Sequence, residues 1–513
     1  MAETGDVLET VKQGYAFEGA AIELGALLVG GEPTPEAAVR IPLSMVNRHG
    51  LVAGATGTGK TKTLQLMAEQ LSAAGVAVFA ADIKGDLSGI SQPGEGNDKL
   101  LSRTKSIGQD WTASGFPTEF YALGGQGTGI PIRATITSFG PVLLSKVLGL
   151  NDVQESSLGL IFHYADKAGL TLLDIKDLRS VIQHLTSDEG KDDLKELGGL
   201  SAATAGVILR SLIGFADQGA EAFFGEPEFD TADLMQQRDG KGVVSLLELP
   251  NLQDRPAVFS TFLMWLLADL FHDLPEVGDV DKPKLVFFFD EAHLLFNDAS
   301  KAFLDSIAQT VRLIRSKGVG VFFVTQTPKD VPDDVLAQLG SRVQHQLRAH
   351  TPNDAKALKA TVSTFPSSSY DLGEVLTQLG IGEAIVTVMN EKGAPTPVAW
   401  TRLRAPQSLM APASAEQMTA SVQGSSNNAK YTEVIDRESA YEKLAAKVQA
   451  GAEQAEAEEQ AKQQQQEAPK PRAQKQEKSM VEQVIGSSAF KQFARSAGRE
   501  IVRGLFGSAR RRK

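Results

Sequence analysis

The chain contains the stretch Gly54-Ala55-Thr56-Gly57-Thr58-Gly59-Lys60-Thr61, a complete G-x-x-x-x-G-K-[ST] pattern that is followed directly by Lys62. The amides of such a glycine-rich loop turn inward around anionic oxygens, and the positive end of the following helix faces the same oxygens. We therefore predict that residues 54–62 bind the phosphates of ATP. Lys60 would reach the β- and γ-phosphates, and the Thr61 hydroxyl would take one position around Mg²⁺.

The flanking sequence supports this interpretation over a purely structural glycine-rich turn. Residues 49–53 are typical of a buried strand, and residues 63–71 are typical of a helix. A strand, a glycine-rich loop and a helix in that order are the structural context that a phosphate-binding loop requires.

Further apolar runs along the chain alternate with helical patterns. This alternation is typical of a parallel sheet with helices on both faces. The sequence thus predicts an α/β fold with a mainly parallel sheet. The predicted strands cover residues 76–83, 242–249, 285–290, 320–326, 342–348 and 383–389.

The periodicity and composition divide the chain into segments. Residues 1–135 and 241–404 are predicted to form the two parts of one nucleotide-binding core. Between them, residues 136–240 show apolar positions three and four apart, which predicts a helical insertion. Residues 405–478 are rich in Ser, Ala, Asn, Glu and Gln and are interpreted as a flexible or partly helical linker without its own core. Residues 479–513 are predicted to form a basic amphipathic tail.

The bulk composition is that of an ordinary globular protein. Of the 513 residues, 42% are hydrophobic and 22% are charged. The sequence has no run of apolar residues long enough to span a membrane and no basic-then-apolar start, so we expect neither a membrane span nor a secretory signal. The absence of cysteine excludes disulfides, thiolate metal sites and cysteine catalysis, and is consistent with an expected cytoplasmic location.

Charge is distributed unevenly along the chain. The net charge is −12, but residues 470–513 carry twelve Lys and Arg against three Asp and Glu, a net of +9, which leaves −21 for the preceding residues. DNA would therefore need a local basic lining on an acidic body. The basic tail could bind DNA phosphates, lie on an anionic membrane surface as a peripheral contact, dock on the acidic body, or remain solvated.

Hydrolysis of the nucleotide requires carboxylates, and two of them end an apolar strand at Asp290 and Glu291. Asp290 would hold Mg²⁺, directly or through water, and Glu291 would orient and polarise the attacking water. The alternative is a buried strand followed by a polar turn. The phosphate loop upstream favours the catalytic interpretation, in which the chain is an ATPase.

Two neighbouring patterns bear on the same chemistry. Gln326 ends a further apolar strand, where its amide could contact the γ-phosphate or the attacking water, although it could also serve as a polar cap. Residues 290–293 also spell the DEAH box of superfamily 2 helicases. Those enzymes need a second RecA-like domain, which the linker-like sequence after residue 400 does not supply. His293 is therefore interpreted as a supporting or packing residue.

Taken together, these patterns resemble the HerA/FtsK group of P-loop motor ATPases, and most closely the HerA-like bacterial proteins of the YjgR type. The resemblance covers roughly residues 20–400. It implies a RecA-like ATPase core that uses ATP and Mg²⁺, is often a hexamer, and in several relatives pumps double-stranded DNA through a ring. The motifs that carry it are residues 54–61, 82–86, 289–293 and 324–328, together with the turn at 382–384.

The resemblance also has limits and adds one expectation. HerA proteins place a β-barrel domain before the phosphate loop, and the segment before Gly54 is too short to hold one. Ring motors complete the site with an arginine from the neighbouring subunit, which contributes several powers of ten in rate in other P-loop systems. Arg312, Arg315 and Arg342 are the candidates for this arginine, and the alternative for each is an ordinary surface or salt-bridged arginine.

The leading hypothesis is thus a motor ATPase of the helicase or translocase type that acts on DNA as a homo-oligomeric ring. One alternative is an ATP-driven switch or remodelling ATPase that acts on a protein partner. A secretion-type ATPase is another, since it would share the same motifs.

Overall fold

In a computed structural model of the chain, the described residues are 2–190, 193, 199–249, 256–297, 301–450 and 453. The chain divides into two compact units, Met1–Ala446 and Lys447–Lys513. In the second unit, the described residues 447–450 and 453 are helical. The expected basic tail and the rest of that unit lie outside the described residues.

The first unit is built on a sheet of twelve strands. Eight neighbouring strands run parallel, and the four at one edge run antiparallel. The predicted α/β fold with a mainly parallel sheet is therefore confirmed. From the antiparallel edge the strands are β2 (Glu32–Pro42), β1 (Ala21–Val29), β14 (Ala399–Leu403), β13 (Glu383–Thr387), β12 (Ser341–Gln344), β3 (Gly50–Ala53), β11 (Val319–Thr325), β10 (Leu285–Phe289), β4 (Ala77–Asp82), β9 (Val244–Glu248), β5 (Thr118–Leu123) and β6 (Ile130–Ile132), and a separate ribbon pairs β7 (Gln237–Arg238) with β8 (Lys241–Gly242).

In the described part of the chain, α-helices surround the sheet. They are α1 (Ala2–Gly14), α2 (Lys60–Ala73), α3 (Asp98–Ser106), α4 (Ile136–Val147), α5 (Asp152–Lys167), α6 (Ile175–Thr186), α7 (Ala202–Asp217), α8 (Pro256–Asp273), α9 (His293–Phe296), α10 (Lys301–Ile314), α11 (Asp333–Leu336), α12 (Pro352–Val362), α13 (Leu372–Gln378), α14 (Ala415–Gly424) and α15 (Ser426–Tyr431). Of these, none combines the length and the apolar content that a membrane crossing requires.

Alternate residues of the central strands face two different hydrophobic cores. In β10, Phe287 and Phe289 belong to one core, whereas Val286 and Phe288 belong to the other. This alternation follows from the two-residue period of a strand. Residues of α8 and α10 complete the first core, and residues of α1 and α2 complete the second. Both faces of the sheet are therefore covered, which explains why its strands read as continuous apolar runs.

The stretch between residues 136 and 240 contains α4 to α7. All four helices begin at a side chain that caps the first turn: Thr135 before α4, Asn151 before α5, Asp174 before α6 and Ser201 before α7. Such caps satisfy amide groups that the helix itself leaves unpaired. The inward faces of the four helices join the same core as α8 and α10, so this stretch packs against the body of the first unit.

Residues 405–446 differ from the expected linker because they belong to the first unit. The side chain of Tyr431 is fully buried, its ring centroid lies 5.2 Å from that of Phe229, and its hydroxyl donates to Asp233 at 2.5 Å. Burial of one aromatic ring with a satisfied hydroxyl outweighs the polar composition around it. This part of the segment therefore packs on the body of the first unit.

The start of the same segment is attached to the helix that follows the phosphate loop. The amides of Gln407 and Ser408 donate to the buried carboxylate of Glu69 in α2, at 2.8 and 2.9 Å. Gln65, one turn earlier in α2, donates to the carbonyl oxygen of Leu409 at 2.9 Å. Hydrogen bonds to a charged acceptor are stronger than neutral ones, so these contacts hold the segment in place.

Candidate active site

The predicted site residues gather at the carboxyl edge of the parallel strands. The phosphate loop follows β3, Asp290 and Glu291 follow β10, and Gln326 follows β11. In the sheet, β11 lies between β3 and β10. Since parallel strands end at the same edge, the loop and the two carboxylates share one site, which is the usual position of ligands in open α/β sheets.

The phosphate loop has the backbone that its glycines allow. Gly57 and Gly59 have φ angles of 84° and 114°, which residues with a side chain rarely adopt. A Cβ atom added at Gly54 would lie 2.4 Å from Cβ of His345. The amino group of Lys60 donates to the carbonyl oxygen of Ala55 at 3.2 Å, so this lysine folds back over its own loop.

The loop residues differ in burial according to their position. Thr58 is buried and its hydroxyl donates to the carbonyl oxygen of Ala55 at 2.8 Å. Thr61 and Lys62 lie half-buried in the first turn of α2, and Lys62 donates to Gln65 at 3.1 Å. At the tip of the loop, Arg348 donates to the carbonyl oxygen of Thr56 at 3.2 Å. Hydrogen bonds within the loop therefore close it, and Arg348, which follows β12, contacts its tip.

His345 is a buried histidine directly after β12 that supports the phosphate loop. Its Nε2 lies 2.9 Å from Oγ1 of Thr63, and its amide donates to the carbonyl oxygen of Ala53 at 2.7 Å. Burial, followed by the charge of Lys60, lowers the pKa of this residue, His345, to about 4. The ring is therefore neutral at physiological pH and acts as a fixed partner of α2.

The turn at residues 382–384 reaches the loop from the antiparallel edge. The amide of Gly382 donates to the carbonyl oxygen of Thr58 at 3.1 Å, and its own carbonyl accepts from Arg103 at 2.7 Å. A φ of 73° at Gly382 makes this approach possible. The antiparallel strands therefore buttress the nucleotide loop rather than forming a separate layer.

Asp290 is a buried carboxylate whose two oxygens have different surroundings. Its Oδ1 accepts the amide of Glu291 at 2.9 Å, whereas its Oδ2 is buried without a hydrogen-bond partner. Burial, followed by the charge of Glu291, raises the pKa of Asp290 to about 7. A buried and unpartnered carboxylate oxygen beside a phosphate loop fits a hard cation such as Mg²⁺, with the Thr61 hydroxyl as the second protein oxygen at this edge.

Glu291 is buried beside Asp290 and is flanked by two basic side chains. Lys84 contacts its Oε1 through a short ion pair, and Nδ1 of His293 lies 3.2 Å from its Oε2. Burial acts to raise the pKa of Glu291, but the bond and charge of Lys84 outweigh it, so the pKa lies below its usual value. The carboxylate is therefore ionised and can accept hydrogen bonds.

The backbone of Glu291 is in the left-handed region, with a φ of 45°. A residue with a side chain in this region costs about 1 to 3 kcal/mol, and such residues cluster at functional sites. His293, two residues later, begins the short helix α9, and its Nδ1 lies 3.2 Å from Oε2 of Glu291.

Gln326 lies at the same edge with an exposed side chain. The residue before it, Thr325, donates its hydroxyl to Asp330 at 2.7 Å, and the amide of Thr327 donates to the same carboxylate at 3.1 Å. These bonds fix the turn that carries Gln326, and they leave its amide facing solvent at the mouth of the site.

The three predicted arginines lie away from the phosphate loop. Arg315 precedes β11 and Arg342 lies in β12 near its start, so both are at the amino edge of the sheet. Together with Arg312 and Arg48 they line a cavity of 590 Å³, where Arg342 donates to the carbonyl oxygen of Thr364 at 3.2 Å. The structure brings the three arginines together, but not to the loop of the same chain.

Sequence reasoning assigned no role to three further charged residues of the site. Lys84 and Asp82 lie in the 82–86 motif on which the family resemblance rests, and Lys84 is the ion-pair partner of Glu291. Glu248 ends β9 directly beside Asp82. Burial, followed by the charges of Asp82 and Asp86, raises the pKa of Glu248 to about 8. The rule that strand ends carry the site would have selected Glu248.

Comparison with known proteins gives a family and two curated relatives. The family described as "Helicase HerA-like C-terminal" matches residues 28–513. The DNA double-strand break repair helicase HerA of Sulfurisphaera tokodaii is 22% identical over 368 residues, which cover 71% of this chain and 66% of that protein. The protein of the same name from Saccharolobus solfataricus is 22% identical over 388 residues, with 74% and 68% covered. The chain spans about two thirds of the length of these relatives.

Solved structures give the fold. The bacterial conjugative coupling protein TrwBdeltaN70 matches with a TM-score of 0.52 at 17% identity, covering 80% of this chain and 94% of that one. The plasmid coupling protein TrwB in complex with ADP and Mg²⁺ matches with a TM-score of 0.50 at 17% identity, covering 78% and 98%. At this identity the likeness concerns the fold alone, which is that of a RecA-like P-loop ATPase.

Proposed function

Because the chain belongs to the HerA-like C-terminal helicase family, we propose that it is an ATP-hydrolysing motor that acts on DNA. The observation that carries the hydrolytic part is the pair of buried carboxylates at the end of β10, one with an unpartnered oxygen and one ionised, at the same sheet edge as a phosphate loop. A nucleotide-binding switch without hydrolysis would not need this pair.

Each residue of the site has a separate role in the proposed hydrolysis of ATP. The amides of residues 54–61 bind the phosphates, and Lys60 leaves the carbonyl oxygen of Ala55 to contact them. Thr61 and Asp290 would hold Mg²⁺, which would supply positive charge beside the phosphates. Glu291 orients the attacking water and accepts its proton, and Gln326 contacts the terminal phosphate or that water.

The cofactor assignment has a parallel among the relatives of known structure. The coupling protein TrwB was solved with a non-hydrolysable ATP analogue and with ADP and Mg²⁺. The donor set of the present chain, a loop of amides, a hydroxyl and an unpartnered carboxylate oxygen, suits the same ligands. ATP and Mg²⁺ are therefore the proposed substrate and metal.

The position of the arginines supports an oligomer, for which we favour a hexameric ring. Arg312, Arg315 and Arg342 lie at the amino edge of the sheet, and the phosphate loop of the same chain lies at the carboxyl edge. An arginine of this group can reach a γ-phosphate only if that phosphate is bound to another copy of the chain. A catalytic arginine supplied by a neighbour is the arrangement that ring motors use.

The DNA part of the proposal rests on the two relatives, which are named as DNA double-strand break repair helicases. The net charge of −21 before residue 470 means that DNA must meet a local basic surface. The lack of cysteine suits the cytoplasm, where such a motor would work.

The test is the rate of ATP hydrolysis against protein concentration, with Mg²⁺, and with or without duplex DNA. A rate per subunit that rises with concentration, and rises again with duplex DNA, supports a shared site and a DNA substrate. Turnover that is insensitive to both duplex and single-stranded DNA would leave an ATPase that remodels a protein partner, and the DNA part of the proposal would be wrong.

A further inference from the structure

We propose that Lys84 is the positioning residue of Glu291: it anchors one oxygen of this carboxylate and leaves the other free to accept the proton of the attacking water. This inference rests on the proposed ATP hydrolysis and adds a residue to it. Lys84 belongs to neither the phosphate loop nor the strand that carries the carboxylates.

The first support is that the two carboxylate oxygens of Glu291 have different hydrogen-bonding environments. Oε1 is taken by the amino group of Lys84. Oε2 is buried and has no hydrogen-bond partner of suitable geometry, although Nδ1 of His293 lies 3.2 Å from it. A buried acceptor without a partner is costly unless a ligand or water satisfies it. Oε2 is therefore the oxygen that a water molecule can approach.

The second support is that the fold builds the position of Lys84. Strands β4 and β10 are parallel neighbours, with Ala81 opposite Phe289, so the loop after β4 lies beside Glu291. The buried carboxylate of Asp82 accepts the amides of Gly85, Asp86 and Leu87 at 2.8, 3.2 and 2.8 Å. The turn after Lys84 is thereby fixed, and the lysine side chain is presented towards β10.

The third support is the difference in exposure within the pair. The side chain of Glu291 is 7% exposed, whereas that of Lys84 is 40% exposed. An exposed lysine on a buried carboxylate is not an ordinary surface ion pair, because its removal leaves the buried charge without its main partner. Among the described residues, the other basic groups that lower the pKa of Glu291 are His293 and Lys60, which belongs to the phosphate loop.

The consequence is a kinetic effect without a binding effect. Misplacing a catalytic group by about 1 Å can cost about 100-fold in rate. For Lys84→Met, which keeps much of the apolar stem, we expect kcat for ATP to fall by about 10- to 100-fold. We expect the KM for ATP and the affinity for a non-hydrolysable ATP analogue to stay within about threefold, since Lys84 is not assigned to the phosphates.

The experiment measures steady-state ATP hydrolysis and analogue binding for the full chain and its variants. Lys84→Arg, which can still donate to Oε1, should recover part of the lost rate. Lys105→Ala, at an exposed lysine near the end of α3, is the matched control. In the Glu291→Gln background, Lys84→Met should have no further effect, because residues that act through one another are not additive.

The outcomes separate this inference from the proposed function. If the unchanged chain does not hydrolyse ATP, the proposed function fails. If it does, and Lys84→Met keeps or raises kcat, or loses analogue binding tenfold, or adds its full loss to that of Glu291→Gln, then Lys84 does not position the carboxylate and the inference is overturned.

Discussion

The amino group of Lys60 donates to the carbonyl oxygen of Ala55, 3.2 Å away within the same loop. Burial lowers the pKa of Lys60, while the charge of Glu291 acts to raise it. Lys60 therefore donates to its own loop, and a bound phosphate would compete with the carbonyl oxygen of Ala55 for its amino group.

Replacing Lys60 with Ala removes a charged donor to the phosphates. Such hydrogen bonds contribute about 1.5 to 3 kcal/mol, so we expect the affinity for a fluorescent ATP analogue to fall about 10- to 100-fold. Lys12→Ala, at an exposed lysine in α1, serves as the control in the same titration. Unchanged affinity of the Lys60 variant would mean that the loop does not bind the phosphates as assigned.

The arginine cavity predicts complementation between two inactive variants. Among Arg312→Ala, Arg315→Ala and Arg342→Ala, at least one should bind nucleotide normally and lose more than about 100-fold in turnover. Mixing that variant with Lys60→Ala protein should restore part of the rate, because an intact loop then meets an intact arginine across an interface. Full activity of all three variants would remove this cavity from the mechanism.

We expect the protein to become more stable when the charge of Glu248 is removed. Its folded pKa of about 8 lies above the ordinary value, so its unfavourable ionisation destabilises the fold increasingly as pH rises from about 4.5 to 8. Glu248→Gln should raise the free energy of unfolding at pH 8 by more than about 1 kcal/mol, with less effect at pH 5. Urea unfolding at both pH values measures this, with exposed Glu221→Gln as the control. A loss of stability at pH 8 would contradict it.

Because His49 is buried, we expect the free energy of unfolding to fall in acid. Its Nδ1 accepts the amide of Val321 at 3.0 Å and its Nε2 donates to the carbonyl oxygen of Val311 at 2.7 Å, so the ring must be neutral. Burial lowers the pKa of His49 to about 4. The unfolded chain takes up a proton below about pH 6.5 and the folded chain only near pH 4, so stability falls between these values by up to about 3 kcal/mol.

The check on this prediction is chemical unfolding across pH 4 to 7. His49→Gln should show a shallower loss of stability than the unchanged chain, although not a flat one, since the pKa of His345 is lowered in the same way. Exposed His163→Gln is the matched control. Identical slopes for the His49 variant and the unchanged chain would argue against a neutral His49.

The sequence predicts best those segments in which nearly every side chain is apolar and buried. Strands such as β10 are fully buried and apolar, and they were located correctly because a continuous apolar run predicts such a strand. The glycine pattern predicts the phosphate loop, and the end of an apolar strand predicts Asp290 and Glu291. Their convergence needs only the rule that parallel strands end at one edge.

The remaining elements depend on long-range pairing that the local pattern does not reveal. Strand β5 is fully buried yet contains Glu119, whose charge is met by Arg238 more than a hundred residues later. The segment 405–446 reads as a polar linker because its anchors are single residues, Tyr431 among them, whose partners lie far away in the chain. The ion pair of Lys84 with Glu291 likewise joins two distant strand ends.

The central claim is that Glu291 activates water at a site where the phosphate loop and Asp290 bind ATP and Mg²⁺. The most direct measurement is ATP turnover by Glu291→Gln, with analogue binding measured on the same preparation. We expect binding like that of the unchanged chain and turnover reduced by about 100- to 10,000-fold, since general bases contribute in that range. Turnover within about threefold of the unchanged chain, with nucleotide bound, would contradict it.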